Sequence, residues 1–474
     1  MTANLLEIFQ NAVRAHGPKT AIVEGDGSKA SFDELAARIS GTSLAWRKRG
    51  IGPGDQILIA MPVSANLYVT LAALWSLGAT AVLPEPAMGL AGVRHALKTL
   101  KIKGLAATGI YRLLKIISPK FWFAPLLQPS AGDGNLSDLG AVGDAPALIS
   151  FTSGTTGKPK AIARDHQFLT AQYQAVEPLL YSGKPEIDLV AFPVFVLVNL
   201  AAGRTSILPS WHMSAVEQVS PEVLTKCISK NGVTRALLPP ALTAKLVNAN
   251  SLPISFSHVF TGGGPVFPDL VNKLLTVHPN LSLTSVYGST EAEPIAHINA
   301  ADVGPADLDI MKQGQGLLAG TPVPEVKLKI VESEILVSGK HVNETYLNPE
   351  HDLENKVKDG KTVWHRTGDA GHIDDQGRLW LLGRWGAKVG NLFPFQIELA
   401  ARFWPGVDQA ALIEISDKRV LAIQGKHKQQ QTWIKKAQTN FPDVQIVQIP
   451  KMPLDRRHRS KIDLPALKKI LQRI

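Results

Sequence analysis

Short apolar strands that alternate with helices constrain this chain more than any single residue does. Residues 32–49 carry apolar side chains at helical spacing and stop at Gly50, a residue type that readily takes the left-handed conformation ending a helix. QILIAM at 56–61 predicts a short strand, 67–77 a helix, and GATAVL at 78–83 the next strand. Further strands are predicted at 147–151, 189–192, 236–238, 259–260 and 283–287. Strands this apolar, bounded by helices, belong to parallel sheets covered on both faces. Past residue 310 the pattern shifts to VKLKIVESEILVSG and GRLWLLG, which read as antiparallel hairpins. The expected class is α/β. A large N-terminal domain, 1–384, would hold two parallel-rich sheets with helices and a small β-barrel. A small mobile α+β domain, 385–474, would follow. The boundary is set by glycines clustered near 383–386 and by a shift in charge.

With 45% hydrophobic and 19% charged residues among 474, the chain is too apolar for disorder. The one cysteine, Cys227, excludes an internal disulfide framework and fits a reducing compartment, so the expected location is the cytoplasm. The N-terminus MTANLLEIFQNAVRAHG is amphipathic and does not read as a signal peptide. No apolar run is long enough to predict a transmembrane segment. The nearest, GLAATGIYRLLKIISPKFWFAPLL at 104–127, is broken by Arg112, Lys115 and Lys120. It reads as a helix and loop packed on the domain, with contact to a membrane or acyl surface as the alternative.

The net charge of +10 is uneven: 385–474 holds 16 Lys and Arg against 7 Asp and Glu, which is nine of the ten. A basic tail calls for an anionic partner such as a nucleotide, CoA or an acidic carrier protein. No nucleic-acid-binding motif accompanies it, so no nucleic-acid partner is expected.

FTSGTTGKPKA at 151–161 ends a predicted strand, where α/β proteins place ligands. Gly154 and Gly157 permit tight turns that aim several N–H groups one way. Thr152, Ser153, Thr155 and Thr156 add hydroxyls, and Lys158 and Lys160 add charge. That is the chemistry of a phosphate cradle. It is not the P-loop of kinases and ATPases, because Pro159 follows Lys158 where that motif needs Ser or Thr. Alone, such a loop is as readily a surface turn.

Other segments follow in order: Gly262-Gly263-Gly264-Pro265, then Val286-Tyr287-Gly288-Ser289-Thr290-Glu291, then Thr367-Gly368-Asp369, Gly383-Arg384, and Lys461 in PLDRRHRSKID. SFDELA, GATAVLPEP, SEILVSG and TYLNP accompany them. This ordered set, spanning nearly the whole chain, resembles the adenylate-forming superfamily of acyl-CoA synthetases, peptide-synthetase adenylation domains and luciferases. Singly, each residue has an ordinary structural explanation: Asp369 a turn residue, Lys461 a solvated charge, Tyr287 packing, Glu291 a helix-start acid. The order of the set makes coincidence improbable.

The resemblance implies roles. Residues Thr152 to Gly157 and Lys160 hold the ATP phosphates. Gly263, Gly264 and Pro265 line the adenine, and Tyr287 stacks on it beside Gly288. Thr290 contacts the α-phosphate and Glu291 binds Mg²⁺, a hard carboxylate for a hard cation. Asp369, helped by Arg384, accepts hydrogen bonds from the ribose. Lys461 reaches the α-phosphate and carboxylate from the C-terminal domain. A carboxylate attacking phosphorus brings two anions together, so Mg²⁺ and lysine must neutralise the charge that builds up.

Two departures narrow the resemblance. The family's Pro-x-Phe-His becomes Pro193-Val194-Phe195-Val196, so Phe192, Phe195 and Val196 begin an apolar wall suited to an acyl chain. A buried strand is the plain structural reading of that wall. The hinge GRWGAKVGNLFPFQIE is several residues shorter than in acyl-CoA synthetases, which puts use of CoA in question. Short hinge, PLDRRHRSKID and FPVFVLVNLAAGRTSILP together resemble the olefin-biosynthesis β-lactone synthetases and fatty acyl-AMP ligases. Three functions stay open: adenylation of a fatty or 3-hydroxy fatty acid with or without lactone closure, thioester formation with CoA or an acyl carrier protein, and non-catalytic nucleotide or acyl binding.

Overall fold

The computed structural model describes residues 4–84, 88–130, 132, 145–153, 159–426, 429–454 and 462–473, without the side chains of 152, 153, 213 and 214. The first sheet runs, in spatial order, Leu126–Leu127, Ile102–Ala107, Gln56–Ala60, Thr80–Leu83 and Leu148–Ser153, all parallel, with Pro159–Arg164 antiparallel at its edge. The second opens on the antiparallel edge strand Lys29–Ser31. It continues through Thr20–Val23, Thr205–Ile207, Ile187–Val190, Arg235–Leu238, His258–Gly262 and Ser282–Ser289, parallel throughout.

The antiparallel module expected as a small barrel continues that second sheet. Ala292–Asn299 folds back on Ser282–Ser289 and pairs with Leu317–Pro322, which leads to Leu379–Arg384, Thr362–Ile373, Glu334–Ser338 and Lys327–Val331. A separate three-stranded sheet, Val407–Ile415, Lys418–Gly425 and Val444–Ile449, lies near the C-terminus.

Local chemistry sets the helices. Ser31 accepts from the Glu34 N–H while the Glu34 carboxylate accepts from the Ser31 N–H, so SFDELA is a capping box that starts helix Phe32–Arg47. Gly50, with φ +78°, turns the chain out of it. In helix Ala65–Ser76 every residue but Asn66 is buried, as its apolar character all round demands. This helix, with Leu5–His16, Phe32–Arg47 and Pro193–Ala201, shares one core with Ile57 and Ile59 of the first sheet and Ile22 and Val190 of the second.

Two expectations need correction. The wall at 193–198, read as a buried strand, is the helix Pro193–Ala201. Its Val and Phe content favours a strand in isolation, but Pro193 at the first turn has the φ a helix start needs. The segment 104–127 contains no long helix: after strand Ile102–Ala107 come the short turns Gly109–Leu113, Leu114–Ile117 and Pro119–Phe121, and then the two-residue strand Leu126–Leu127. Among the described residues no helix is long and apolar enough to cross a membrane.

Helix Pro394–Arg402 is buried on two sides. Ile397 and Ala401 join the C-terminal core with Leu421, Ile423 and Trp433, while Leu399 packs with Met311 and Trp380. Arg402 lies 3.2 Å from Asp269 and stacks over Phe267.

Candidate active site

Thr152 pairs with Lys160 and Ser153 with Pro159, so the Gly/Thr loop joins two antiparallel strands. Gly154, Thr155, Thr156 and Gly157 lie outside the described residues, as do the side chains of Thr152 and Ser153. Lys160 is described and almost wholly buried, at 5% exposure. Its Nζ donates to Asn355 Oδ1 at 3.0 Å and stands 5.7 Å above the Tyr346 ring.

Tyr346 ties that lysine to the next motif, since its hydroxyl donates to Glu291 Oε1 at 3.0 Å. Burial, then the Glu291 charge, pushes the Tyr346 hydroxyl pKa up, so it stays a donor. Lys356 sits 5.0 Å from the same ring and 3.2 Å from His365 Nδ1, and also donates to Asn343. Burial lowers Lys356 to about 8 against the pull of Glu291, and burial then Lys356 lowers His365 to about 3. Glu291 therefore accepts from a tyrosine whose ring lies near two lysine ammonium groups, Lys160 and Lys356. Tyr346, Asn355 and Lys356 carried no signal of their own in the sequence beyond the TYLNP run.

A second polar group forms where the second sheet turns antiparallel. The Tyr287 hydroxyl donates to Asp369 Oδ2 at 2.8 Å, and Arg384 Nη1 lies 3.2 Å from Asp369 Oδ1. Asp369 and Arg384 are direct cross-strand partners, which explains how residues fifteen apart in sequence meet. Burial, then Asp369, raises the Tyr287 pKa, so the phenol remains protonated. The Thr290 carbonyl accepts from Arg164 Nη2 at 2.7 Å, while the residue itself faces solvent.

Gly263 is exposed, with φ +75°, and a Cβ there would come within 3.3 Å of the Phe192 ring. Only glycine suits that backbone. It borders a cavity lined by Leu180, Phe192, Phe195, Leu237, Phe260 and Glu293 among others. Gly264 and Pro265 follow it, half-buried. Val196 does not reach the cavity: fully buried on the helix, it belongs to the core between the sheets. Glu293, which the sequence did not single out, does; burial raises its pKa to about 7, opposed by Arg164. Gly288 is half-buried where a Cβ would meet the Ala292 carbonyl at 3.0 Å. Lys461 lies outside the described residues, between Leu454 and Ile462, which bridge.

The donor set fits a nucleotide and a hard cation. A phenol, a carboxylate and a guanidinium suit a nucleoside, and buried Lys160 suits phosphate. Among the described residues no three His, Cys, Asp or Glu side chains gather as a metal site. Glu291 alone is enough for Mg²⁺, which takes few carboxylates and fills its shell with water and phosphate oxygen.

The sequence profile of the AMP-binding enzyme family matches residues 9–347. An olefin beta-lactone synthetase of Stenotrophomonas maltophilia is 26% identical over 96% of this chain and 93% of its own length. A 2-succinylbenzoate–CoA ligase of Bacillus cereus is 24% identical over 85% and 84%. Among solved structures, O-succinylbenzoate coenzyme A synthetase of Bacillus subtilis in complex with ATP and magnesium ion superposes with TM-score 0.74 at 19% identity, covering 97% of this chain and 99% of that one. IdnL7 gives 0.78 at 18% identity, covering 99% of each. The chain belongs to the AMP-binding enzyme family and is an AMP-forming acid ligase.

Proposed function

We propose that the chain uses ATP and Mg²⁺ to adenylate the carboxylate of a fatty or 3-hydroxy fatty acid, releasing pyrophosphate, and closes a β-lactone from the 3-hydroxy acid. The observation that carries this is the placement of Gly263. It borders an apolar cavity that suits an acyl chain, and the cavity's Glu293 stands two residues from Glu291. The olefin beta-lactone synthetase relatives support the lactone branch.

Each residue then has a task. Lys160 and the loop before it grip the phosphates. Asp369 holds the ribose, with Arg384 and Tyr287 fixing its orientation. Glu291 offers the anionic oxygen for Mg²⁺, which when bound neutralises phosphate charge. Lys461 approaches the carboxylate from the segment 385–474, read as a lid over the 1–384 domain. In the lactone branch the 3-hydroxyl oxygen bonds to the acyl carbon, the bond from that carbon to the AMP oxygen breaks, and the hydroxyl proton is released.

Relatives that form CoA thioesters keep a second reading in view, with CoA or an acyl carrier protein as acceptor. The cytoplasm is assigned as the place of action, which suits the free Cys227. The test is AMP release from a 3-hydroxy fatty acid with and without CoA. Net AMP with a neutral lipid product and no CoA is expected. Strict dependence on CoA would establish the thioester reading instead.

A further inference from the structure

We propose that Glu293 recognises a hydroxyl on the acid substrate, close to the carboxyl end of its chain. The inference rests on the adenylation reading and sharpens it. Glu293 is the one acidic residue on an otherwise largely apolar cavity wall with Phe192, Phe195, Leu180 and Phe260. Its place is fixed: Gln172 Nε2 donates to its main-chain carbonyl at 3.3 Å, and a Cβ at position 288 would meet its Cα at 3.2 Å. Among the described residues nothing hydrogen-bonds its carboxylate. The Arg164 guanidinium already donates to Ser150 Oγ and the Thr290 carbonyl, each at 2.7 Å. A plain alkyl chain beside it would strip the carboxyl group of water and return no hydrogen-bond partner, which is costly whether the group is charged or neutral. A hydroxylated chain supplies the missing donor and leaves the apolar wall to hold the tail.

ATP–pyrophosphate exchange measured with matched 3-hydroxy and unsubstituted acids tests this. The wild type is expected to favour the hydroxy acid by kcat/KM. Glu293→Leu should cut that preference at least about tenfold, the scale of a hydrogen bond to a charged group, and improve use of the unsubstituted acid. Glu293→Gln, of nearly the same shape, should give an intermediate preference. An unaltered preference in both variants overturns the role of Glu293 while leaving adenylation standing. Absence of exchange with every acid defeats the adenylation reading, and this inference with it.

A separate observation carries a second inference. We infer that the turns after strand Ile102–Ala107 dock on an anionic lipid bilayer. Phe123 is 97% exposed, Ile110 75%, Ile116 69% and Trp122 57%, a large apolar surface on one short stretch. The protrusion is built, not loose. Lys115 Nζ donates to the carbonyls of Phe121 at 2.6 Å and Trp122 at 2.8 Å and to that of Ala124, while Trp122 Nε1 reaches the Ile116 carbonyl at 2.9 Å. Phe121 is buried beneath it. Between Glu85 and Asp133 the sequence has seven Lys and Arg and no acidic residue. Of these, Lys103 pairs with Asp55, and Lys115 and Lys120 donate to carbonyls. That leaves Arg94, Lys98, Lys101 and Arg112 as exposed cations on the stretch that carries the aromatic and aliphatic tips, a combination that matches the boundary of an anionic bilayer. A second copy of the same surface would instead bring like charges together.

Flotation with phosphatidylglycerol–phosphatidylcholine vesicles, against pure phosphatidylcholine, tests it on the intact chain. Binding is expected to require the anionic lipid, to weaken with salt, and to fall at least about fivefold in Trp122→Ala/Phe123→Ser. No vesicle binding, or equal binding by the variant, would overturn the inference. So would a change of oligomeric state in the variant with vesicle binding intact.

Discussion

Glu291→Gln is expected to lower ATP–pyrophosphate exchange by about 10²–10³-fold, the loss seen when one preorganised electrostatic contact to a reacting centre is removed. The substitution preserves volume and leaves an oxygen to accept the Tyr346 hydroxyl, now 3.0 Å away. What it removes is the negative charge, and with it a hard anionic ligand for Mg²⁺. A Glu291 that served only to position Tyr346 would tolerate the change. Exchange should therefore be followed across a Mg²⁺ titration, with folding checked by circular dichroism. Activity close to wild type at every Mg²⁺ concentration would show that the carboxylate charge is not used. The change should also reach Lys356: with the Glu291 charge gone, only burial and weaker neighbours act on an ammonium already lowered to about 8.

The second large effect concerns stability. Arg235→Met is expected to cost about 3–5 kcal/mol, because it takes both short hydrogen bonds from a buried carboxylate and leaves it only Arg204, at 3.9 Å. Arg235 Nε and Nη2 donate to the two oxygens of Asp188, at 2.8 and 2.9 Å, from the directly paired position of the neighbouring strand. Asp188 has no exposed surface, and Glu186 and Arg204 stand within 3.7 and 3.9 Å of the pair. Replacing the whole pair by apolar groups would cost far less than removing one partner. Urea unfolding followed by tryptophan fluorescence measures this through the midpoint of the transition that includes the second sheet. A loss under 1 kcal/mol would contradict the account, as would full recovery by Lys, which cannot bridge both oxygens. The strand also pairs with His258–Gly262, which presents Gly263, so the damage should extend to nucleotide affinity.

How much of this was readable beforehand differs by level. The parallel strands were legible because strands covered on both faces are continuously apolar, and Arg235–Leu238 is buried at all four positions. Pro193–Ala201 misled because its valines favour a strand, whereas packing against two sheets accommodates a helix that is apolar nearly all round. Tyr287, Asp369 and Arg384 were singled out through ordered motifs, and Phe192 and Phe195 through the apolar run after Phe192. Cross-strand register pairs Asp369 with Arg384, and the Tyr287 hydroxyl reaches Asp369 from another strand. Val196 was placed in the pocket by linear proximity, but a helix turns it about 100° from Phe195 into the core. Glu293, Tyr346 and Lys356 were missed because their significance is tertiary. A carboxylate is unusual only once its surroundings are apolar, and a lysine only once it is buried.

The central claim is that this site joins a carboxylate to the α-phosphate of ATP. ATP–pyrophosphate exchange with Mg²⁺ and without CoA tests it most directly, using fatty and 3-hydroxy fatty acids of several lengths beside amino acids and aryl acids. The account predicts exchange with the fatty classes, strongest with the hydroxylated ones and absent without acid. Exchange confined to amino or aryl acids would contradict the reading of the cavity. A chain that binds ATP yet exchanges with no acid would contradict adenylation itself.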